Sequence, residues 1–159
     1  MLDTYLDLLE LDYFEIGEAF KGLADENVWK RPADGLLAVG EIAGHICYAE
    51  ASRFAPDNQV SSPLIDSRFE YYPNTLATSP SEEHLAMTAS EVLQELMRVH
   101  TESVAAYRAS NPDLESAAPG WSHSMTHRES LKYLVFHVAY HTGQIYSARH
   151  LLGEKTVDN

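Results

Sequence analysis

From Thr126 to Gly153 the sequence specifies one long helix, and no other feature limits the possible folds as much. The stretch "THRE" is a capping box, with Thr126 as the N-cap and Glu129 reaching back to it. Leu131, Leu134, Val138, Ile145 and Leu152 recur at helical spacing, and Gly153 suits the left-handed residue that ends many helices. A helix of this length holds in water only if its apolar stripe is covered, and other helices are the simplest cover.

Three more segments supply that cover. Leu6, Leu9, Tyr13, Ile16 and Phe20 mark one face of a helix running from Thr4 to Gly22. A second helix fits Val39 to Ala55, with Ile42, His45, Ile46, Ala49 and Phe54 inward and Pro56 beyond its end. The stretch "SPSE" predicts a third, with Ser79 as N-cap, Pro80 at the first helical position and Glu82 completing a capping box. Its period passes through Leu85, Thr88, Val92, Leu96, Val99 and Val104 to Arg108. Residues 56–78 form a long connection, and their aromatic "RFEYYP" is expected to pack at the mouth of a pocket or on a second subunit. With no strand pattern and no repeat, the chain reads as an all-α four-helix bundle, a single domain over residues 1–159.

Charge narrows the partners. Eleven Lys and Arg against 24 Asp and Glu give a net charge of -13, which repels phosphate backbones and anionic membrane surfaces. The single cysteine, Cys47, forbids an intramolecular disulfide and is expected to pack as a small apolar residue. The opening "MLDTYLDLLELDYF" carries four acids and no base, unlike a secretory leader, and no uninterrupted apolar run is long enough to span a bilayer. The expectation is a cytoplasmic protein acting on small molecules, without nucleic acid or membrane as partner.

The histidines carry the chemistry. Eight of them are present, and random placement would give about 0.4 pairs at the i,i+4 spacing that joins side chains on a helix. There are two such pairs. His123 and His127 straddle the cap at Thr126, so they share no helix face and read as loop residues, although His127 could face a pocket from the first helical turn. His137 and His141 lie inside the longest helix on its apolar side, where two imidazoles can reach one ion. Spacing alone leaves open a pair of core histidines bonded to tyrosines or backbone. His45, flanked by Ile42 and Ile46 in the second helix, faces the pair if those two helices are neighbours. Three imidazoles from two helices leave part of a coordination sphere open, the pattern of a catalytic rather than a structural metal. A nitrogen-rich set accepts several divalent transition metals, with zinc and nickel foremost. His84, His100 and His150 carry no such signal.

The array "VGEIAGHICYAE" followed by "FHVAYHTGQIYSARHLLG" resembles the DinB/YfiT-like superfamily, with a histidine in helix two and H-x-x-x-H-x-G-Q in helix four. The resemblance implies an up-down-down-up bundle with a long crossover between helices two and three, a divalent metal on His45, His137 and His141, and a homodimer. Members with known activity are largely metal-dependent thiol S-transferases using bacillithiol, mycothiol or a related thiol, together with a mycothiol-dependent isomerase. Thr142 departs from the pattern, since relatives often carry Arg there, which puts the identity of any thiol in doubt. Gly143 is expected to permit close helix packing. Gln144 reads either as a neighbour of the site or as a core residue bonding the helix.

The function implied is a metal-dependent transferase that joins a low-molecular-weight thiol to electrophilic small molecules. Gln144, Glu41 and Tyr48 are the residues expected around the metal or in the substrate pocket, although Glu41 reads better as a first-turn acid favoured by the helix dipole. A metal-dependent hydrolase is the alternative, weakened by the lack of an evident carboxylate base, and a non-catalytic metal-binding stress protein is the third reading.

Overall fold

The computed structural model describes residues 1–57, 59–120 and 124–157. Its long helices are α1 (Leu2–Phe20), α3 (Val39–Phe54), α6 (Ala89–Ser110) and α7 (His127–Leu151), and the shorter α2 (Asp25–Val28), α4 (Tyr72–Ala77) and α5 (Glu82–Ala86) lie between them with a 3₁₀ turn at Ser67–Phe69. No strand occurs among the described residues. The fold is all-α, as the hydrophobic period requires.

α7 packs along both α1 and α3, and α6 closes the ring by packing on α3 and on α1. Each long helix turns its apolar stripe to this common core. Leu6, Leu9, Tyr13, Ile16 and Phe20 of α1, Ile42 and Ile46 of α3, Val92, Leu96 and Val99 of α6, and Leu131, Leu134, Val138 and Ile145 of α7 are all buried. No helix among the described residues is long and apolar enough to cross a membrane. Cys47 is fully buried, and burial pushes its thiol well above the usual range, so it packs as an apolar residue.

The helix ends follow local chemistry. Thr126 accepts from the Glu129 N–H at 3.2 Å, and the Glu129 carboxylate accepts from the Thr126 N–H at 2.8 Å. At the other end, Gly153 takes φ +80°, its N–H donates to the His150 carbonyl, and the Glu154 N–H donates to that of Arg149. That pair of bonds is a Schellman motif, and glycine is needed at its left-handed residue.

The third long helix starts later than "SPSE" predicts. Ser81, not Ser79, caps α5 by accepting from the His84 N–H, and the chain breaks again at Thr88, which caps α6 with Glu91 as its partner. Leu85, read as part of the apolar stripe, is instead exposed. The connection between α1 and α3 contains α2, and Trp29 beyond it packs against Gly40 and donates its indole N–H to the Met87 carbonyl.

Arg149 is the largest side chain buried without exposure. Its guanidinium donates to the carbonyls of Ala19 and Lys21 at 2.6 and 2.9 Å, to the Lys155 carbonyl at 3.1 Å and to the Glu154 carboxylate at 2.7 Å. A cation from α7 thus takes up orphan carbonyls at the C-terminal end of α1 and locks the two helices together.

Candidate metal centre

His45 comes from α3, and His137 and His141 come from α7, one helical turn apart. Because α3 and α7 are neighbours, the three rings converge. His137 Nε2 lies 3.1 Å from His45 Nε2 and 3.1 Å from His141 Nε2. Nitrogens bound to one ion at about 2.0–2.1 Å would themselves be separated by roughly 2.8–3.4 Å, from octahedral to tetrahedral arrangements. The three imidazoles therefore lie close enough together to hold one metal ion, and they form the one such cluster among the described residues.

Their outer nitrogens fix the proton positions of two of the rings. His45 Nδ1–H donates to the Phe69 carbonyl at 2.6 Å, and His141 Nδ1–H donates to Gln144 Oε1 at 2.7 Å, with Gln144 Nε2 donating in turn to the Tyr140 hydroxyl. In both rings the Nε2 lone pair then points to the centre. His137 Nε2 faces two lone pairs and can donate a proton to only one, while its Nδ1 is buried without a hydrogen-bond partner among the described residues. An electron-pair acceptor in the middle resolves what a single shared proton cannot.

The electrostatics keep the lone pairs available. Burial, then the neighbouring imidazoles of His141 and His45, pushes the His137 pKa down to about 2. Burial and His45 push His141 down to about 4, with the Gln144 bond opposing. Burial also lowers His45, against the Phe69 carbonyl. All three are neutral donors at pH 7.

The anchor at His45 is built from the crossover between α3 and α6. Phe69 is fully buried, its ring lies against Gly44 of α3, and the Arg68 guanidinium sits 4.6 Å from the ring centroid on its own helical turn. A Cβ on Gly44 would come within 2.6 Å of that ring, so only glycine lets the turn approach closely enough for the His45 bond. Arg68 in turn donates to Glu41 at 3.0 Å, and Arg31 grips the same carboxylate with two bonds of 2.9 and 2.8 Å.

Glu41 is thereby the first-turn acid of α3 and not a neighbour of the three imidazoles. It is fully buried in an ion cluster with Arg31 and Arg68 and also accepts from the Ala38 N–H at 3.0 Å. Burial raises its pKa, but the bonds from Arg31, Ala38 and Arg68 win and leave it below the usual carboxylate value. Its link to the centre runs through Arg68 and the turn that carries Phe69. Gly143 also differs from expectation: a Cβ there would meet nothing within 4 Å, so no close helix packing depends on it. Thr142 is buried with its hydroxyl donating to the Val138 carbonyl.

Beside the triad is a cavity of about 330 Å³, within the usual size of small-ligand sites. His45 and His137 form part of its wall with Tyr48, Arg53, Glu70 and Tyr133. Tyr48 lines this cavity, and so does the "RFEYYP" segment, through Glu70, Tyr71 and Tyr72. Sequence reasoning missed Arg53, Glu70 and the Phe69 carbonyl. The first two carry no motif, and a backbone carbonyl carries no sequence signal at all.

The remaining histidines have structural partners. His100, which carries no motif, pairs with the buried Glu50 at 3.0 Å and stacks on Tyr13 at 3.6 Å between centroids. His84 bridges Ser81 and the Pro63 carbonyl, and His150 meets the Thr156 hydroxyl at 2.8 Å. His127 is 2.9 Å from the Tyr107 hydroxyl and lines a separate cavity, away from the triad. His123 lies outside the described residues.

No curated protein and no solved structure matches the chain. The model of the DinB family does, over residues 15–158. That span includes all three converging histidines, both helices that carry them and the crossover that anchors His45: the chain belongs to the DinB family.

Proposed function

We propose that the chain holds a divalent transition metal, zinc or nickel foremost, on His45, His137 and His141, and works as a metal-dependent transferase joining a low-molecular-weight thiol to an electrophilic small molecule. The observation that carries this reading is the convergence of three Nε2 atoms, two of them held as lone-pair donors by bonds at Nδ1. A bound metal would supply Lewis acidity, lowering the pKa of a thiol or water beside it. The chain itself contributes the rest. Phe69 and Gln144 hold two rings in the donor tautomer, and the tyrosines of the cavity wall give a substrate an apolar, hydrogen-bonding surface.

A hydrolase remains the second reading, and one observation favours it. Glu70 places a carboxylate in the same cavity, near enough to Tyr48 to raise the pKa of its hydroxyl, where it could accept a proton from water. The protein would act on its small-molecule substrate as a homodimer; Phe136 and Tyr140 stack on each other on the exposed side of α7 and offer an apolar contact for the second copy.

Metal analysis of the purified protein beside His45→Ala, His137→Ala and His141→Ala variants tests the centre. A stoichiometric metal lost from all three variants is the expected result. Turnover of a thiol with a chlorinated nitroarene then separates the two chemistries, and equal turnover by His137→Ala would rule out metal catalysis. Ester hydrolysis that needs the metal but no thiol would favour the hydrolase.

A further inference from the structure

The triad divides the seam between α3 and α7 into two hollows. The cavity already described takes its wall from Tyr48, Ala49 and Ser52, which follow His45 on α3, and from Tyr133, which precedes His137 on α7. A smaller groove of about 70 Å³ lies on the other side. Ile42, three residues before His45, lines it together with Gln144, Ser147 and Ala148, which follow His141. The two helices thus run antiparallel past the triad, and the groove lies about one to two turns from the same three rings. Tyr72 belongs to the wall of both hollows, so one side chain separates them.

The groove differs from the cavity in chemistry. The cavity wall carries Arg53 and Glu70, whereas no charged residue lines the groove. Leu37 and Ile42 are buried in its floor, and Leu36 and Leu151 stand at its rim, 38% and 61% exposed. Its three polar side chains are engaged elsewhere. Tyr72 donates its hydroxyl to the Gly35 carbonyl at 3.1 Å, Ser147 donates to the Gly143 carbonyl at 2.9 Å, and Gln144 bonds His141 and the Tyr140 hydroxyl. An occupant gains from this wall by covering apolar surface, not by hydrogen bonding. Size narrows the occupant further. An apolar hollow of about 150 Å³ admits a benzene ring. The groove, at about 70 Å³, suits a branched alkyl group of about three or four carbons and is too small for a whole aromatic side chain of a second copy.

We infer that this groove is a substrate subsite: it takes a short branched alkyl arm of the electrophile, while the thiol occupies the cavity on the other side of the triad. The inference rests on the transferase reading for the identity of the two reactants, but occupancy of the groove is measured with no metal and no turnover.

Methyl NMR of the purified full chain, titrated with 2-methylpropan-1-ol and with ethanol, tests it. The branched alcohol should shift the methyl resonances of Leu36, Leu37, Ile42 and Leu151 and bind about tenfold tighter than ethanol, the effect of two more buried carbons. Ser147→Phe, which lays a ring across the groove, and Leu36→Asp, which puts a charge at its rim, should each bring the two alcohols within about twofold of each other. Both positions are exposed, so melting temperatures near that of wild type show that the fold is kept. Unmoved methyls, equal affinities in wild type, or a preference that survives both variants overturns the inference. Repeating the titration in saturating 2-mercaptoethanol should leave the affinity for the branched alcohol unchanged; displacement by the thiol puts both in one place and overturns it too. Methyl shifts on dilution, with no response to the alcohol, give the groove to a second copy and overturn it likewise. Metal content of the same samples judges the triad separately: protein without metal that keeps the response to the alcohol loses the transferase reading and keeps the alkyl subsite.

Discussion

Gly44→Ala is the change that most directly tests how the crossover sets the metal centre. The new Cβ would lie 2.6, 2.7 and 2.8 Å from Cδ2, Cε2 and Cγ of Phe69. Ordinary carbon contacts are about 3.5–4.0 Å, so the ring must retreat by roughly 1 Å. Arg68 stands over the ring, which leaves the whole 3₁₀ turn as the part that gives. Moving the Phe69 carbonyl by that much stretches its 2.6 Å bond to His45 beyond hydrogen-bond range. Overpacking costs about 1–3 kcal/mol, and replacing a helical glycine by alanine returns about 1 kcal/mol, so the net loss of stability is modest, about 0–2 kcal/mol. The loss at the metal is larger, about 10–100-fold in affinity, because the ring it needs is no longer held. Competition against a chromophoric chelator measures it. Two other glycines provide controls. Gly40→Ala drives a Cβ to 2.7 Å from the Trp29 ring, so it should destabilise without touching metal affinity. Gly143→Ala meets nothing and should stabilise by about 0.5–1 kcal/mol, again with affinity unchanged. A Gly44→Ala protein that binds metal as tightly as wild type would refute the reasoning.

Four other changes have stated outcomes. Gln144→Leu removes the acceptor for His141 Nδ1 and should weaken metal binding about 10–100-fold in the same chelator competition, with little change in melting temperature because the residue is only half-buried. Arg149→Met strands carbonyls at the end of α1 and the Glu154 carboxylate; a loss of about 3–5 kcal/mol is expected, a fall in melting temperature on the order of 10 °C by calorimetry. Glu41→Gln leaves Arg31 and Arg68 facing each other without a carboxylate and should be destabilised by several kcal/mol; because the Glu41 pKa is lowered in the fold, its contribution is present above the unfolded value near 4.5 and lost as pH falls through the folded one, so chemical denaturation should show the two proteins converging in acid. For His100 the sign is opposite: burial lowers its pKa but Glu50 and Glu10 raise it more, so its pairing is worth most below about pH 6.5. The stability gap between wild type and His100→Gln should shrink as pH rises through the raised pKa.

The four long helices were legible because each buries one continuous apolar stripe, and burial leaves a period that sequence alone displays. The break at Thr88 was written just as plainly, since Thr88 and Glu91 form a capping box of their own. It was masked because a threonine at a helical interval reads as part of a stripe. The triad was legible for a different reason. His137 and His141 share a helix face by arithmetic, and His45 needed only the assumption that α3 and α7 are neighbours. Arg149 shows the opposite case. It lies near the end of α7, yet its work is done on carbonyls some 130 residues earlier in the chain, at Ala19 and Lys21. No local pattern encodes that reach.

What the helices alone do not determine is the crossover, and the crossover is where the site acquires its character. Its 3₁₀ turn supplies the carbonyl that holds His45, and its next residues put Glu70 and Tyr71 into the cavity. The turn stays in place because one buried carboxylate, Glu41, draws Arg31 from the α2–α3 connection and Arg68 from the turn itself, while both arginines also donate to the Thr75 and Thr78 carbonyls at the end of α4. A buried ion cluster of this kind is poor at adding stability compared with apolar packing, but it tolerates few alternative arrangements. Its position suits that property. Metal affinity depends on ring orientation to within a few tenths of an ångström, and the four helices can be packed correctly while a long connection still wanders. Glu41, one turn before His45 on the same helix, ties the connection to the helix that carries the ligand, so the scaffold and the anchor cannot drift apart.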